Sequence, residues 1–226
     1  MKLAEYKNKH KGQTAVIACN GPSLNKVDFS KFPKDVVVFG LNRGYLKKDM
    51  PIHYLVVVNN LVYEQFKDEI HSVDTLQTFV PHDFKFAPDV PKFETDLTKP
   101  IWQGHTVTFV AIQLANYMGF DKVILVGCDH NYPRAEGKPT NQMVVSESDD
   151  IDHFDKDYFG KGIKWHLPNL PRTEIAYKLA REYFESAGKD LVNCTPGTKL
   201  AVLRKGNLLK ELGVKVQRKR KTKSDK

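Results

Sequence analysis

Apolar positions along this chain come in short blocks, each closed by a polar residue. Residues 15–19 (AVIAC) stop at Asn20, and residues 36–39 (VVVF) stop three positions before Asn42. Runs that are β-branched or small and apolar at successive positions suit strands covered on both faces, so strands are predicted over 14–19 and 36–39. A turn after the first is followed by a short helix over 24–29. A third strand over 54–58 ends at Asn59 and Asn60, and LVYEQFKDEI then carries apolar residues at helical spacing. LQTFVPHDF reads as another short strand. In HTVTFVAIQLANYMGF, Val107, Val110, Ala111, Leu114, Ala115 and Met118 fall on one helix face, and Gly119 suits the end of that helix. KVILVGCDHNY has the character of a central strand. A helix over about 173–187, capped by Thr173 and closed by Gly188, and a strand in DLVNCT follow. Alternating strands and helices predict an α/β fold: a Rossmann-like, doubly wound, mostly parallel sheet.

Two stretches break the pattern. Residues 85–99, rich in Pro and charge, read as a loop inserted over the sheet edge. Residues 133–165 hold acidic clusters and glycines with little periodicity, which predicts a long mobile segment covering a site, a lid over about 134–164. A length of 226 residues suits one α/β domain, taken as 1–209, followed by a basic tail over 210–226.

Charge changes the picture little. The formal net charge is +8, but from Lys210 onward eight Lys and Arg face only Glu211 and Asp225, which leaves the preceding body at +2. A solvated tail is the plain reading, and peripheral contact with an anionic membrane or a nucleic acid is the functional one. No apolar run approaches the ~20 residues of a membrane span, and no apolar stretch follows the charges of MKLAEYKNKHKGQ as in a secretory leader. The three cysteines, Cys19, Cys128 and Cys194, form no spaced pair and suit a reducing cytoplasm. Each ends an apolar run and is expected to act as a small hydrophobe.

In a parallel sheet the strand ends converge, which places Asn20, Gly21 and Ser23, then Asn42, then Asn59 and Asn60, then Asp129, His130 and Asn131 around one crevice. The turn Asn20-Gly21-Pro22-Ser23 can offer backbone N–H groups and a hydroxyl to a phosphate at the start of a helix. It lacks the lysine of a P-loop and the three glycines of a dinucleotide fingerprint. Asparagine side chains both donate and accept, which suits a ribose or a base edge; capping of the next helix is their ordinary role. Asp129 suits a hydroxyl, a metal or a helix cap. His166, in KWHLPN just before the last helix, is the candidate general base, with His130 and His153 as rivals. His105, in GHTVT, is a candidate for contact with an anionic group.

These stretches, ACNGPSL, DFSKFPKDVVVFGLN, LVYEQF and ANYMGFDKVILVGCDHNY, resemble in order and spacing the bacterial sialyltransferases of glycosyltransferase family 42 over residues 14–200. They are also similar to the motility accessory factors and to the MptE-like 6-hydroxymethylpterin diphosphokinase domain. The sialyltransferase resemblance implies a metal-free, inverting transfer from a CMP-activated sugar, with Asn20, Gly21, Ser23 and Asn42 on the nucleotide and His166 as base. Where that family has Arg-x-Thr-Ser, this chain has Gly104, His105, Thr106 and Val107. Tyr132 and Tyr158 are the nearest counterparts of its phosphate-assisting tyrosines, and Pro168 and Pro171 change the loop that bears the base.

The expectation is therefore a cytoplasmic glycosyltransferase-like enzyme, peripheral to the inner membrane if the tail binds it. A nucleotide-sugar donor, a glycan or glycoconjugate acceptor and a second copy of the chain are its expected partners. Asp129 and His166 are the expected catalytic groups, and Asn20, Gly21, Pro22, Ser23, Asn42, Asn59, Asn60, Thr106 and Asn131 the nucleotide contacts. His105, His130, Tyr132, His153 and Tyr158 belong to the substrate and lid group. No cofactor is required. The diphosphokinase resemblance implies instead Mg²⁺ held by Asp129 with Asp155 or Asp157 and diphosphate transfer from ATP. A non-catalytic nucleotide or nucleic-acid binder, resting on the tail, is the third expectation.

Overall fold

The computed structural model describes residues 3–214. Seven strands form one sheet, paired in parallel throughout, in the order β4-β3-β2-β1-β5-β8-β9. They are β1 (Thr14–Ala18), β2 (Val37–Leu41), β3 (Tyr54–Val56), β4 (Gln77–Phe79), β5 (Lys122–Val126), β8 (Asp190–Asn193) and β9 (Arg204–Lys205). The remaining pair, β6 (Met143–Val145) and β7 (Lys164–His166), makes a separate antiparallel hairpin. Helix α1 spans Asn60–His71, α2 Val107–Tyr117, α3 Leu170–Ser186 and α4 Leu208–Glu211.

Strand order runs outward in one direction from β1 to β4 and in the other from β5, so the direction of winding reverses between β1 and β5. Open parallel sheets of this kind leave a crevice there, beyond the carboxyl ends of the strands. The two faces are covered differently. Ala15, Ile17, Phe39 and Tyr54 point to one face and pack under α2 and α3, through Phe109, Ile112, Ala176 and Phe184. Val16, Ala18, Val38 and Leu55 point to the other, where Val62 and Ile70 of α1 and Phe154, Tyr158, Phe159 and Trp165 cover them.

Where strands connect, the expectations need correction. The helix predicted over 24–29 is two 3-10 turns, Pro22–Lys26 and Phe29–Lys31, because the Asp28 side chain accepts from the Ser30 N–H and starts a new turn. Helix α3 starts at Leu170, not Thr173. Asn169 caps it by accepting from the Arg172 N–H at 3.2 Å, and Pro171 sits in the first turn, where a missing N–H costs nothing. The predicted strand in 76–84 is only three residues long and gives way to a 3-10 turn over Pro81–Asp83. Strand β9, helix α4 and the β6–β7 hairpin have no counterpart among the expected elements.

Residues 133–165, expected to be irregular, hold all but the last residue of the hairpin and a packed aromatic cluster. Asn25 Nδ2 donates to the Phe154 carbonyl at 2.7 Å, the Phe154 N–H donates to the Asn20 carbonyl at 2.9 Å, and Gln65 exchanges hydrogen bonds with the Lys164 backbone. Arg43, buried, donates to the carbonyls of Asp157 (2.7 Å) and Tyr158 and lies over the Phe66 ring at 3.8 Å. The segment is thus fastened to β1, to the turn after β2 and to α1. Of the expected basic tail, Lys210 and Glu211 belong to α4, and residues 215–226 lie outside the described residues.

Candidate functional site

Beyond the carboxyl ends of β1, β2, β3 and β5 lies a cleft of about 570 Å³, roofed by the 133–166 segment. Asn20 and Gly21 enter it from β1, Asn42 from β2, Asn59 and Asn60 from β3, and Asp129, His130, Asn131 and Tyr132 from β5. His105 and Thr106 line it ahead of α2, and His153, Tyr158 and His166 line it from the roof. Pro22 and Ser23 do not reach it.

The turn after β1 is a structural clasp. Gly21 N–H donates to the Gly127 carbonyl at 2.9 Å, and Ser23 donates to Asp129 Oδ2 from its hydroxyl at 2.7 Å and from its N–H at 3.3 Å. Pro22 has no N–H, and a five-residue 3-10 turn follows in place of an α-helix. The donors expected to cradle a phosphate are therefore spent on the end of β5, which corrects the anion-site expectation for Gly21, Pro22 and Ser23. Approach this close demands glycine on both sides. A Cβ on Gly21 would lie 2.1 Å from Asp129 Oδ2, and one on Gly127, whose φ is +66°, would lie 2.3 Å from the Cys19 carbonyl.

The asparagines are different. Asn20 Nδ2 donates to the Leu41 carbonyl at 3.1 Å, but its Oδ1 is buried without a partner. Asn42 Oδ1 is likewise buried and unpartnered, and the residue holds a left-handed φ of +48°. His105, His130 and Asn141 share that strained conformation and line the same cleft. Non-glycine residues held there cluster where a side chain must be aimed against its backbone preference. Asn59 caps α1 by accepting from the Leu61 N–H at 2.9 Å, while its Nδ2 faces His166 Nδ1 at 3.4 Å. Thr106 caps α2 through the Thr108 N–H.

Of the four imidazoles, two are tied at the rim. His105 Nε2 lies 3.1 Å from Asp89, whose carboxyl is pulled to about 2 by Arg172, Trp102 and His105. His130 Nε2 lies 3.2 Å from Glu174, and burial lowers its affinity for a proton. His153 and His166 instead keep Nε2 unpaired among the described residues. Burial raises the phenols of Tyr132 and Tyr158, so both stay neutral donors. On the floor, Cys19 and Cys128 meet Thr108 and Tyr177. The neighbouring Cys128 thiol and burial push the Cys19 thiol well up, so it behaves as an inert hydrophobe.

Asp129 and Asp152 are the lining carboxylates, whereas Asp155 and Asp157 lie outside the lining, which corrects their expected place beside Asp129. Among the described residues no group of three His, Cys, Asp or Glu is arranged to hold a metal ion. None of their helices is long and apolar enough to cross a membrane. The sequence reading missed Gln103, Thr108, Asn141, Asp152, Asn169 and Tyr177, all in the lining. For Asn169 a signal existed: an asparagine two residues before a proline at a helix start.

No protein-family model matches the chain, and no curated protein matches it. Among solved structures it is similar to the MAf glycosyltransferase of Magnetospirillum magneticum, at 16% identity and a TM-score of 0.49 over 92% of this chain. The chain spans 37% of the length of that protein. It is also similar to the sialyltransferase CstII of Campylobacter jejuni in complex with cytidine-5'-monophosphate. Identity there is 15% and the TM-score 0.42, over 86% of this chain and 85% of that one.

Proposed function

We propose that the chain is a glycosyltransferase-like enzyme that moves a sugar from a CMP-linked donor to a hydroxyl of a glycan or glycoconjugate, with inversion and without a metal. The observation that carries this is the convergence of the Asn20, Asn42 and Asn59 residues from three strand ends on one cleft with the His166 imidazole. Asparagine amides both donate and accept, which suits ribose hydroxyls and the exocyclic amine of a base. The motif resemblance names Asn20 and Asn42 for the nucleotide.

In the transfer, an acceptor oxygen attacks the anomeric carbon while the bond from that carbon to the phosphate oxygen breaks. The bonding pair leaves with the nucleoside monophosphate, and the acceptor proton passes to His166 Nε2. Asn59, 3.4 Å from Nδ1, orients that ring. A roof fastened over the cleft limits water, which would otherwise take the sugar. The same proposal takes the chain as cytoplasmic and homo-oligomeric, and the basic tail as a contact for anionic membrane.

Calorimetry with CMP, UMP, AMP and cytidine tests the nucleotide. CMP is expected to bind, and Asn42→Ala to weaken it at least tenfold, about 1.4 kcal/mol. Silence toward every nucleotide overturns the proposal. With a CMP-sugar donor, His166→Ala should lower turnover by about 10²–10⁴ while CMP still binds, and EDTA should leave the rate unchanged.

A further inference from the structure

A nucleotide-sugar donor carries a phosphate, and in the turn expected to hold it the Gly21 and Ser23 N–H groups and the Ser23 hydroxyl are already engaged. Among the described residues no lysine or arginine lines the cleft, so the group that meets a phosphoryl oxygen is sought among its imidazoles, hydroxyls and amides. His153 is the residue built for it. Its Nδ1 lies 2.7 Å from Asp150 Oδ2, and a carboxylate only accepts, so Nδ1 carries the proton and Nε2 is the atom left open. The ring is stacked on Tyr158 at 4.2 Å between centroids with 11° between planes, which fixes its direction.

Asp150 itself is fully buried and held from several sides. It accepts from the N–H groups of Asp152 (2.8 Å), His153 (3.2 Å) and Phe159 (2.9 Å), and Arg134 Nη2 lies 2.6 Å from its other oxygen. Arg134 also pairs with Asp152 at 2.8 Å, whose carboxylate is equally buried. Two buried carboxylates thus share one guanidinium, and a second proton on His153 brings the cluster to neutrality. A rigid carboxylate behind an imidazole whose far nitrogen faces a cleft is the arrangement that aims a donor at an anion. Its place along the cleft matches: the next residue, Phe154, is hydrogen-bonded to the Asn20 carbonyl, which sets His153 beside the end of β1. His166 stands instead beside Asn59 at the end of β3.

We propose that His153, positioned by Asp150, is the phosphate contact of this cleft, binding a phosphoryl oxygen through Nε2–H. The proposal rests on the nucleotide reading above for the identity of the ligand, but not for the anion contact itself.

The test uses the full chain, labelled so that the imidazole nitrogens are visible by NMR, with His153→Gln to assign the signal. Inorganic phosphate and CMP are expected to shift the His153 ring resonances saturably, and cytidine is not. By calorimetry, the advantage of CMP over cytidine should shrink at least tenfold in His153→Gln, with cytidine binding unchanged. Should that variant fail to fold, Asp150→Asn gives a second reading, in which CMP weakens while cytidine does not. CMP binding with no response at His153 overturns this inference and leaves the nucleotide reading standing. Saturable phosphate shifts at His153, with CMP binding no tighter than phosphate, support the inference and overturn the nucleotide reading. A His153 signal silent toward both phosphate and CMP overturns the inference whatever else binds.

Discussion

Within the sheet, burial is carried by aliphatic and aromatic carbon; within residues 133–166 it is carried by charges facing rings. Ala15, Ile17, Phe39, Val123 and Leu125 are wholly or almost wholly buried with no polar side-chain atom among them. The roof of the cleft rests on Arg134, which pairs with Asp150 and Asp152, lies over the Trp165 ring at 4.6 Å and donates to the Phe159 carbonyl at 3.1 Å. The two regions meet the same requirement, a fixed shape, by different physics. Apolar packing is non-directional and tolerates substitution of similar volume, whereas a buried ionic network holds its shape only while every member is present. A site that must aim one nitrogen at a ligand is better served by the second kind.

The sharpest way to break this contrast is to delete one group from each region. Phe39→Ala removes a ring with no exposed surface that touches Tyr54 at 5.2 Å and Phe120 at 5.8 Å between centroids. Urea unfolding should show a loss of about 3–5 kcal/mol, spread over the whole sheet in one transition. Arg134→Ala should cost about 3 kcal/mol, because it strands two carboxylates with no exposed surface of their own. That loss should be local. Hydrogen exchange is expected to accelerate over residues 134–166 while the amides of β1 and β5 keep their protection. Uniform loss of protection in Arg134→Ala would show that the roof and the sheet are one energetic unit.

This division also explains what could be read from the chain alone. Strands β1, β2, β3, β5 and β8 and helices α1 and α2 leave periodic apolar patterns, and the convergence of Asn20, Asn42, Asn59 and Asp129 follows from parallel pairing. Arg134 and Asp150 are 16 positions apart, and nothing in local spacing marks them as partners, so the roof looked structureless. The turn after β1 misled for a related reason. Its composition suits an anion site, but whether its N–H groups face a ligand or the next strand is set by Gly127 and Asp129, more than a hundred residues away. Strand β9 was hidden because two charged residues, Arg204 and Lys205, carry no apolar signal; Asp190 and Glu211 hold Arg204 through side-chain hydrogen bonds.

Acid separates the regions more gently. Burial works against ionisation of Asp150, yet its bonds to His153 and to backbone N–H groups, with Arg134 nearby, hold its carboxyl below the ordinary value. A depressed folded value means that the stabilisation is fully present above the unfolded carboxylate range, about pH 4, and is lost as pH falls through the folded value. Glu211, pulled to about 2 by Arg204 and Lys122 against burial, behaves the same way at the other end of the sheet. Lowering the pH from 5 to 2 should therefore loosen residues 134–166 and the β9–α4 edge before the aliphatic centre of the sheet. Amide exchange measured at both values checks this, and equal acceleration everywhere would count against it.

The smallest effect is expected at the rim, and there the contrast is sharpened by a null on stability. Asp89 accepts from Trp102 Nε1 at 2.6 Å, pairs with Arg172 at 2.6 Å and faces His105 Nε2 at 3.1 Å, so by count of partners it rivals Asp150. It differs in exposure: its side chain is 56% accessible, against none for Asp150. Water and salt screen such a cluster, so Asp89→Asn should cost less than about 1 kcal/mol in urea unfolding, the amide oxygen still accepting from Trp102. Two side chains at the cleft mouth, Arg172 and His105, would nonetheless lose their ionic partner. A midpoint shift worth more than about 2 kcal/mol would mean that the rim, like the roof, depends on charges shielded from water, and the distinction between the two would have to be redrawn.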